Sequence, residues 1–363
     1  MKTSTAINSR AFEPSSLTRR SFMTKASLGL AATGFSRVEA AGQPTNPTSK
    51  AGAQRLSLAA LRSWEQLGYG MFIHFGMSTF LGQELPDGKT PATVYAPDKL
   101  DVGQWISVAR DAGMKYAVLT TKHVAGHCLW ATKHTDYSMA NSTNKTDVVD
   151  KFVSACQEKG VLPGFYYCSW DNHNRFGSQT ASDPPGWNAM FTTSRYQTFQ
   201  TAQITELLTQ YGPIAETWID IPGVLGRGYR TFLYHHIASL QPETVIMMNS
   251  GIGDGSQYDI DYAWPSDLIA IERRMPGDAG YRKMRNIEGK DYYMPGEVCD
   301  PIGKEWFWVE GDLPRSDQSL AKHFAACKTL GVNFLLNVPP DRHGLIPDYS
   351  VKALKRLRKH TGI

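Results

Sequence analysis

The chain has 363 residues, of which 41% are hydrophobic and 20% charged, and this is an ordinary globular composition. Its length admits one large domain with a single core or two small ones. The formal charge of +4 is uneven, because residues 1–40 carry six basic and two acidic side chains. Without that segment the net charge is zero, which disfavours binding to nucleic acid or to anionic lipid.

Residues 1–40 have the pattern of a twin-arginine export signal. Thr18–Met23 contains the two arginines, an apolar run covers Ala26–Phe35, and Val38–Ala40 resembles a cleavage site. A membrane anchor is the alternative, but the apolar run has about ten residues and a span needs about twenty. We therefore expect a mature protein without a membrane anchor, located in the periplasm or outside the cell.

The remaining chain divides into a leader and one domain. Residues 41–54 are rich in Gly, Pro, Ser and Thr without apolar periodicity, which predicts a flexible segment. The five cysteines are scattered and match no metal motif, so we expect buried thiols with at most one or two disulfides. Residues 55–363 are predicted to form the folded domain.

Within residues 55–363, strand-like runs alternate with amphipathic helical patterns. Parallel neighbouring strands require such crossover helices. Eight units fit a single (β/α)8 barrel of the TIM type better than an open doubly wound sheet. The predicted strands are Gly70–Phe75, Tyr116–Thr121, Leu162–Cys168, Ala215–Asp220, Thr244–Asn249, Asp267–Glu272, Tyr292–Val298 and Val332–Val338. The helical patterns include Val102–Ala112, Thr146–Lys159 with Thr146 as its cap, Thr193–Tyr211, Gly228–Leu240, Asp317–Leu330 and Tyr349–Lys359.

Polar or aromatic side chains lie at or just beyond the predicted strand ends. In a barrel of this type the reactive residues lie at the carboxyl ends of the strands, so the pattern predicts a polar pocket with aromatic walls. These residues are His74, Lys122–His123, Tyr166–Tyr167 with Trp170–Asp171, Asp220, Asn249, Glu272, Glu297 and Asn337.

Paired carboxyl groups with aromatic walls are typical of glycosidic-bond hydrolysis. One carboxylate attacks or stabilises the oxocarbenium-like centre, and a second carboxyl group protonates the leaving oxygen. Asp220 ends an apolar run, although its spacing suits a turn or helix cap equally well. Glu272 and Glu297 are the two candidates for the proton donor, and either one could instead pair with a neighbouring base.

The histidines point to sugar binding rather than to metal chemistry. We expect His74 and His123 to donate hydrogen bonds to sugar hydroxyls. A barrel metallohydrolase needs a His-x-His pair on one strand, and this sequence lacks one. Motifs of esterases, NTPases and dinucleotide-binding proteins are also missing.

From about Trp64 to Gly362 the chain resembles glycoside hydrolase family 29, the α-L-fucosidases, and in particular the branch that acts on branched α-1,3/1,4-linked fucose. The resemblance implies a single-domain exo-enzyme without metal or organic cofactor, acting on fucosylated oligosaccharides or polysaccharides. The matching segments are Gly70–Gly76, Ala112–Tyr116, Leu119–His123, Thr135–Ser138, Gly164–Tyr167, Gln210–Pro213, Trp218–Asp220 and Asn333–Val338.

The resemblance also implies roles for individual residues. Asp220 would form a covalent fucosyl intermediate in a retaining double displacement, and Glu272 is favoured over Glu297 as acid/base by its order in the chain. The positions that would line the fucose pocket are His74, Glu84, His123, Tyr167 and Trp218.

Two residues depart from the family pattern. Val124 replaces a second histidine, and His127 is a candidate to take over its hydrogen bond; Ile221 replaces the usual glycine after the nucleophile. These departures keep open a fucose-binding pseudoenzyme and a related glycosidase for another sugar, such as a galactoside. We expect no appended C-terminal β-sandwich.

Overall fold

The structure is a computed structural model, which describes residues 50–175, 187–277 and 280–363. The predicted export signal and residues 41–49 of the leader lie outside the described residues. Among the helices that are described, none is long and apolar enough to cross a membrane.

Eight parallel strands form one sheet, in which strands that follow one another along the chain pair side by side, except the fifth and the sixth, and the eighth pairs with the first. This is the cyclic order of a (β/α)8 barrel and confirms the predicted fold; residues 49–363 form one compact unit. The strands are β1 (Tyr69–Ile73), β2 (Tyr116–Lys122), β3 (Leu162–Cys168), β4 (Glu216–Asp220), β5 (Val245–Met248), β6 (Ile269–Glu272), β7 (Gly296–Pro301) and β8 (Asn333–Asn337).

Strands β5 and β6 meet at a seam that side chains help to close. The Asp267 backbone N–H donates to the Ile246 carbonyl at 2.8 Å, and its carboxylate accepts from the Ile246 N–H at 2.9 Å. The Ser266 hydroxyl accepts from the Met248 N–H at 3.0 Å. Arg55 forms an ion pair with Asp267, so the chain entering the barrel braces this seam.

The helices begin where the sequence supplies a capping side chain. Asp101, Asp147, Thr193 and Ser316 each accept a hydrogen bond from the backbone of the first turn. Asp147 takes the capping position that we expected for Thr146. The helices are α1 (Leu58–Glu65), α2 (Met77–Leu81), α3 (Val102–Asp111), α4 (Val148–Lys159), α5 (Ser194–Gln210), α6 (Arg227–Leu240), α7 (Ile260–Ala263), α8 (Asp317–Leu330) and α9 (Asp348–Thr361).

A small second sheet binds the end of the predicted flexible leader. Lys50–Ala51 pairs in parallel with the strand Lys290–Tyr293, which itself pairs with Met284–Ile287. The Gln54 amide exchanges hydrogen bonds with the Tyr293 backbone at 3.2 and 2.9 Å. Residues 50–54 are therefore ordered by polar pairing, which apolar periodicity could not reveal. The run predicted as the strand Tyr292–Val298 is divided between this sheet and β7.

Alternate residues of each barrel strand face two different cores. Phe72, Tyr166 and Trp218 belong to a cluster inside the barrel, whereas Phe165 and Tyr167 pack in the outer cluster with the helices. This alternation decides which side chain of each strand can reach the mouth of the barrel.

All five cysteines are buried free thiols, so none of the disulfides allowed by the sequence forms.

Candidate active site

A pocket of about 240 Å³ opens at the carboxyl ends of the strands. This volume is below the roughly 300–1,000 Å³ of sites for drug-sized ligands, and it suits a single sugar ring. The lining residues are Phe72, His74, Glu84, Leu85, His123, Val124, Tyr166, Trp218, Asp220, Ile221, Asn249, Gly251, Ile252, Tyr262, Glu272, Cys299 and Trp306.

Asp220 ends β4 at the base of this pocket and accepts three hydrogen bonds. The Tyr166 hydroxyl donates to Oδ2 at 2.6 Å, and the Asn249 amide donates to Oδ1 at 2.8 Å. The Ile221 backbone N–H also donates to Oδ1, at 2.9 Å. Burial raises the pKa of Asp220, and these three donors oppose that rise because they stabilise the anion. The carboxylate is thereby held in one orientation.

Glu272 ends β6 and reaches the same pocket from across the seam. Its Oε2 accepts a hydrogen bond from the Asn249 amide at 2.9 Å. Burial first, and then the charge of Asp220, raise the pKa of Glu272 to about 7, while Asn249 and Arg273 oppose the rise. Two neighbouring carboxyl groups in different environments suit opposite roles, one ionised and one protonated.

His74 is a neutral ring whose tautomer is set by Asn337. The Asn337 amide nitrogen donates to the Trp306 carbonyl at 2.7 Å, so its Oδ1 faces His74 Nδ1 at 2.8 Å. Nδ1 must therefore carry the proton, and Nε2 is an acceptor. Burial holds the pKa of His74 well below its usual range. His74 thus accepts a hydrogen bond from a ligand, which reverses the donor role expected from the sequence.

Aromatic rings form the walls around the histidines. The Tyr166 and Trp218 rings stack with centroids 5.4 Å apart, and His123 stacks on Tyr166 at 5.6 Å. The Trp306 ring lies 5.0 Å from His74. Burial lowers the pKa of His123 to about 3, so this ring is neutral too. Its Nδ1 is buried and has no partner among the described residues.

Glu84 completes the rim of the pocket. It is partly buried, and burial raises its pKa against the opposing charge of Arg273. The Arg273 guanidinium lies 4.9 Å from the centre of the Trp306 ring and donates to the Lys304 carbonyl at 2.8 Å. Through these two contacts Arg273 helps to hold the segment that carries Trp306 at the rim of the pocket.

Two residues expected in the pocket lie elsewhere. Tyr167 faces the helices, donates to the Gln203 side chain at 2.8 Å and does not line the pocket; its neighbour Tyr166 faces inward instead. His127 is buried against Tyr95 and Tyr137, with Nε2 2.8 Å from the Ser142 hydroxyl. Neither can replace a hydrogen bond inside the pocket. Val124 does line it, at the place of the missing histidine.

Glu297 lies inside the barrel rather than at its mouth. It is the second residue of β7 and accepts hydrogen bonds from the Tyr116 hydroxyl at 2.6 Å and the Trp218 indole at 3.2 Å. The Glu216 carboxyl lies beside it, and both groups are fully buried. Only Glu272 of the two proton-donor candidates shares the pocket with Asp220.

Among the residues that are described, no group of three or more His, Cys, Asp and Glu side chains is arranged to hold a metal ion.

The comparisons with known proteins agree on one family. The family model described as "Alpha-L-fucosidase" matches residues 87–363. The chain belongs to the α-L-fucosidase family. This confirms the resemblance to glycoside hydrolase family 29 that the sequence motifs indicate.

Individual members of the α-L-fucosidase family match over most of the barrel. α-L-fucosidase 1 from Arabidopsis thaliana is 32% identical over 308 residues, which cover 80% of this chain and 57% of that protein. The chain thus spans less than two thirds of that relative. The solved structure of α-L-fucosidase isoenzyme 1 from Paenibacillus thiaminolyticus has a TM-score of 0.69 at 27% identity, covering 84% of this chain and 75% of that one. An α-L-fucosidase from Lactobacillus casei, with a TM-score of 0.65 at 23% identity over 83% and 98% of the chains, shares the fold.

The departure from the fucosidase pattern at Ile221 has a visible backbone consequence. Ile221 has φ 49° and ψ 46°, a left-handed conformation that glycine adopts without cost and a β-branched residue rarely adopts. Arg273, directly after Glu272, also has a positive φ of 54°. Both carboxylates are thus followed by a strained residue, a pattern that recurs at functional sites.

We expect Ile221→Gly to be more stable than Ile221→Ala, the reverse of the usual order. Alanine loses the packing of the isoleucine side chain but retains the left-handed strain of about 1–2 kcal/mol, whereas glycine removes that strain. Urea unfolding of both variants and the wild type measures the difference. An alanine variant more stable than the glycine variant would show that this conformation costs nothing here.

The buried pair of Glu216 and Glu297 predicts a stability that falls as pH rises. Burial raises the pKa of Glu297 to about 7 and that of Glu216 well above its usual value, so the native state retains protons that the unfolded chain releases. The stabilisation is complete below about pH 4.5 and is lost as pH rises through 7. For Glu297 alone the loss is on the order of 3 kcal/mol.

Urea unfolding between pH 4.5 and pH 8 checks this, with Glu297→Gln as the comparison. Because Glu272 and Asp220 also have raised pKa values, the informative quantity is the difference between the two proteins. We expect the variant to lose less stability over this range, since an amide does not ionise. Identical pH dependence in both proteins would contradict the prediction.

The sequence alone predicts no role for several residues that build this pocket. The sequence places Tyr166 and Asn249 at or just beyond strand ends and predicts no contact with Asp220, although both donate a hydrogen bond to it. Tyr262 and Cys299 gave no signal, because their proximity to the carboxylates depends on long-range packing. The position of Asn249 did carry a signal. It directly follows β5, and the strands before and after β5 in the chain end at Asp220 and Glu272.

Proposed function

We propose that this protein is a retaining exo-α-L-fucosidase that removes terminal α-L-fucosyl residues from glycans. The observation that carries the proposal is the pair Asp220 and Glu272, whose facing oxygens lie 2.8 and 2.9 Å from one amide nitrogen. These oxygens can be no further apart than the sum of the two distances. One shared donor thus brings the two carboxyl groups close together, as the short separation of about 5–5.5 Å in retaining enzymes requires.

In the first step Asp220 acts as the nucleophile. Its carboxylate attacks the anomeric carbon and forms an ester as the glycosidic bond breaks, while Glu272 gives its proton to the departing oxygen. The pKa of Glu272 near 7 supports the role of proton donor at neutral pH. The hydrogen bonds from Tyr166 and Asn249 hold Asp220 in position before the attack.

In the second step Glu272, now ionised, accepts a proton from water. The resulting hydroxide equivalent attacks the anomeric carbon from the face the leaving group vacated, and the ester to Asp220 breaks. Asp220 regains its charge and Glu272 its proton, so the enzyme returns to its starting state.

The remaining pocket residues fit recognition of one sugar ring. His74 Nε2 accepts from a hydroxyl, and the orphaned Nδ1 of His123 gains a partner when a hydroxyl enters. The Trp218 and Trp306 rings offer faces to the apolar side of the sugar. Glu84 supplies a carboxylate acceptor at the rim.

The proposal extends to linkage and location. Leu85 and Ile252 lie at the mouth of the pocket, with 57% and 64% of their surfaces exposed. Because the mouth is open, a large glycan attached to the fucose can extend into solvent. Together with the resemblance in the sequence motifs, this open mouth favours branched α-1,3/1,4-linked fucose as the substrate.

The sequence of residues 1–40 supports export by the twin-arginine pathway to the periplasm or beyond.

A substrate panel tests the proposed function. It comprises aryl α-L-fucoside, aryl galactosides, branched fucosylated oligosaccharides and linear α-1,2-linked fucosides, with released sugar as the readout. We expect fucose from the aryl fucoside and from branched substrates, and faster turnover of these than of linear α-1,2-linked ones. A galactoside preference would replace the fucosidase assignment, and preference for linear substrates would remove the linkage assignment.

One alternative function, a fucose-binding protein without catalysis, is tested because Val124 stands in place of a histidine in the pocket. A hydroxyl left without a partner costs about 1–3 kcal/mol, which weakens binding of the sugar in the reaction. Trapping with a 2-fluorofucosyl fluoride separates the two functions. If Asp220 is an active nucleophile, the peptide that contains it gains the mass of the sugar. A binding protein gives no adduct but still binds fucose.

A further inference from the structure

Asn249 follows β5, and Glu272 ends β6, so the two residues face each other across the seam of the barrel. The ladder of the sheet does not join β5 to β6. At the mouth of the barrel the Asn249 side chain spans this gap, together with a backbone bond from Gly253 N–H to the Glu272 carbonyl at 3.3 Å. At this end of the seam the Asn249 side chain therefore joins backbone bonding in holding the two carboxylates together.

The hydrogen-bonding capacity of this amide is used on three sides. Its nitrogen donates to Asp220 Oδ1 at 2.8 Å and to Glu272 Oε2 at 2.9 Å. Its oxygen accepts from the Gly251 backbone N–H at 2.9 Å. Because a backbone N–H can only donate, the oxygen must face Gly251 and the nitrogen must face the carboxylates. Asn249 is buried, so water does not compete strongly for these bonds.

We propose that Asn249 is a positioning residue that couples the two carboxylates, because its nitrogen donates to both and so always contacts the one that carries the negative charge. The inference rests on the roles of Asp220 and Glu272 in the proposed function. In the first step the charge disappears from Asp220 and appears on Glu272, and in the second step it returns. One negative charge thus alternates between two oxygens that the same amide contacts.

The other groups around the pair do not make this link. Within the described part of the chain, no other side chain donates hydrogen bonds to both carboxylates; Tyr166 reaches only Asp220. Arg273 and Glu84 act on Glu272 through their charges. The titratable and charged groups that face the pair are Tyr166, Cys168, Tyr262, Cys299, Glu84 and Arg273.

The test replaces Asn249 by leucine, which keeps the size but removes both donors. Asn333→Leu is the matched control, because Asn333 is also a buried asparagine of the barrel, but it begins β8 and its hydrogen bonds lie near the closed end. Two readouts are measured. The first is the pH profile of kcat/KM on an aryl α-L-fucoside. The second is the pH titration of the infrared carboxyl band of Glu272, which is assigned by its loss in Glu272→Gln.

We expect Asn249→Leu to move both limbs of the pH profile and the Glu272 band to higher pH by about one to two units, the value of a hydrogen bond to a charged group. kcat should fall on the order of 100-fold. Asn249→Asp, which adds a third carboxylate, should move the Glu272 band further still. Asn333→Leu should leave limbs and band in place.

If Asn249→Leu is slower but the limbs of its pH profile and its Glu272 infrared band do not move, the proposal is overturned and Asn249 has a structural role only. An unmoved band in Asn249→Asp would do the same if the leucine variant fails to fold. The infrared band needs no turnover. A wild type that hydrolyses no fucoside but whose band moves in the variants would therefore refute the proposed function and keep the coupling.

Discussion

Replacing Asp220 by glycine is expected to reduce fucoside hydrolysis by a factor on the order of 10⁴ or more, as removal of a residue essential to the chemistry does. The carboxylate is the group within the pocket that three donors hold in place, and the glycine variant leaves no atom to attack the anomeric carbon. Folding should persist, because burial raises the pKa of Asp220 despite its three hydrogen bonds, so the ionised carboxylate is a net cost to the native state.

Azide distinguishes loss of the nucleophile from general damage. In Asp220→Gly the small anion can enter the space of the carboxylate and attack an activated aryl fucoside, giving β-fucosyl azide with inverted configuration. Asp220→Asn is the matched control, since its amide fills that space and should allow no rescue. Unchanged hydrolysis in Asp220→Gly, or rescue with retained configuration, would refute the assignment of the nucleophile.

The site was predictable where a residue's place follows from its own strand. Asp220 and Glu272 end apolar runs, and the register of a parallel barrel brings such ends to one mouth. Glu297 was ambiguous because residues 292–298 read as one strand. The structure divides that run, so Glu297 begins β7 near the closed end instead of finishing a strand at the mouth.

The facing of individual residues was harder to predict. Tyr166 and Tyr167 are adjacent and chemically alike, and a strand buried on both faces gives no polar alternation to show which one faces inward. His127 was expected to compensate for Val124 on spacing alone, but the turn after β2 directs it toward Tyr95 and Tyr137. Contacts across the barrel, such as that of Asn249 with two strands, depend on tertiary structure.

Glu272→Ala is expected to slow hydrolysis of natural fucosides by about 10²–10⁴-fold, the usual contribution of general acid catalysis. The loss should depend on the leaving group. A fucosyl fluoride departs without a proton and should form the intermediate at nearly the wild-type rate, whereas a glycan leaving group needs the proton that Glu272 supplies. The basic limb of the pH profile, expected near 7 in the wild type, should disappear in the variant.

Azide gives the opposite stereochemistry at this position. With Asp220 intact the intermediate still forms, and azide in the space of the missing carboxyl attacks it to give α-fucosyl azide with retained configuration. Glu297→Gln serves as the control, because that group lies inside the barrel and should change neither the leaving-group dependence nor the basic limb. If Glu297→Gln instead removed the basic limb and Glu272→Ala kept it, the acid/base role would belong to Glu297. The structure argues against that result. Of the two glutamates, Glu272 is the one that accepts a hydrogen bond from the same amide as Asp220, that of Asn249.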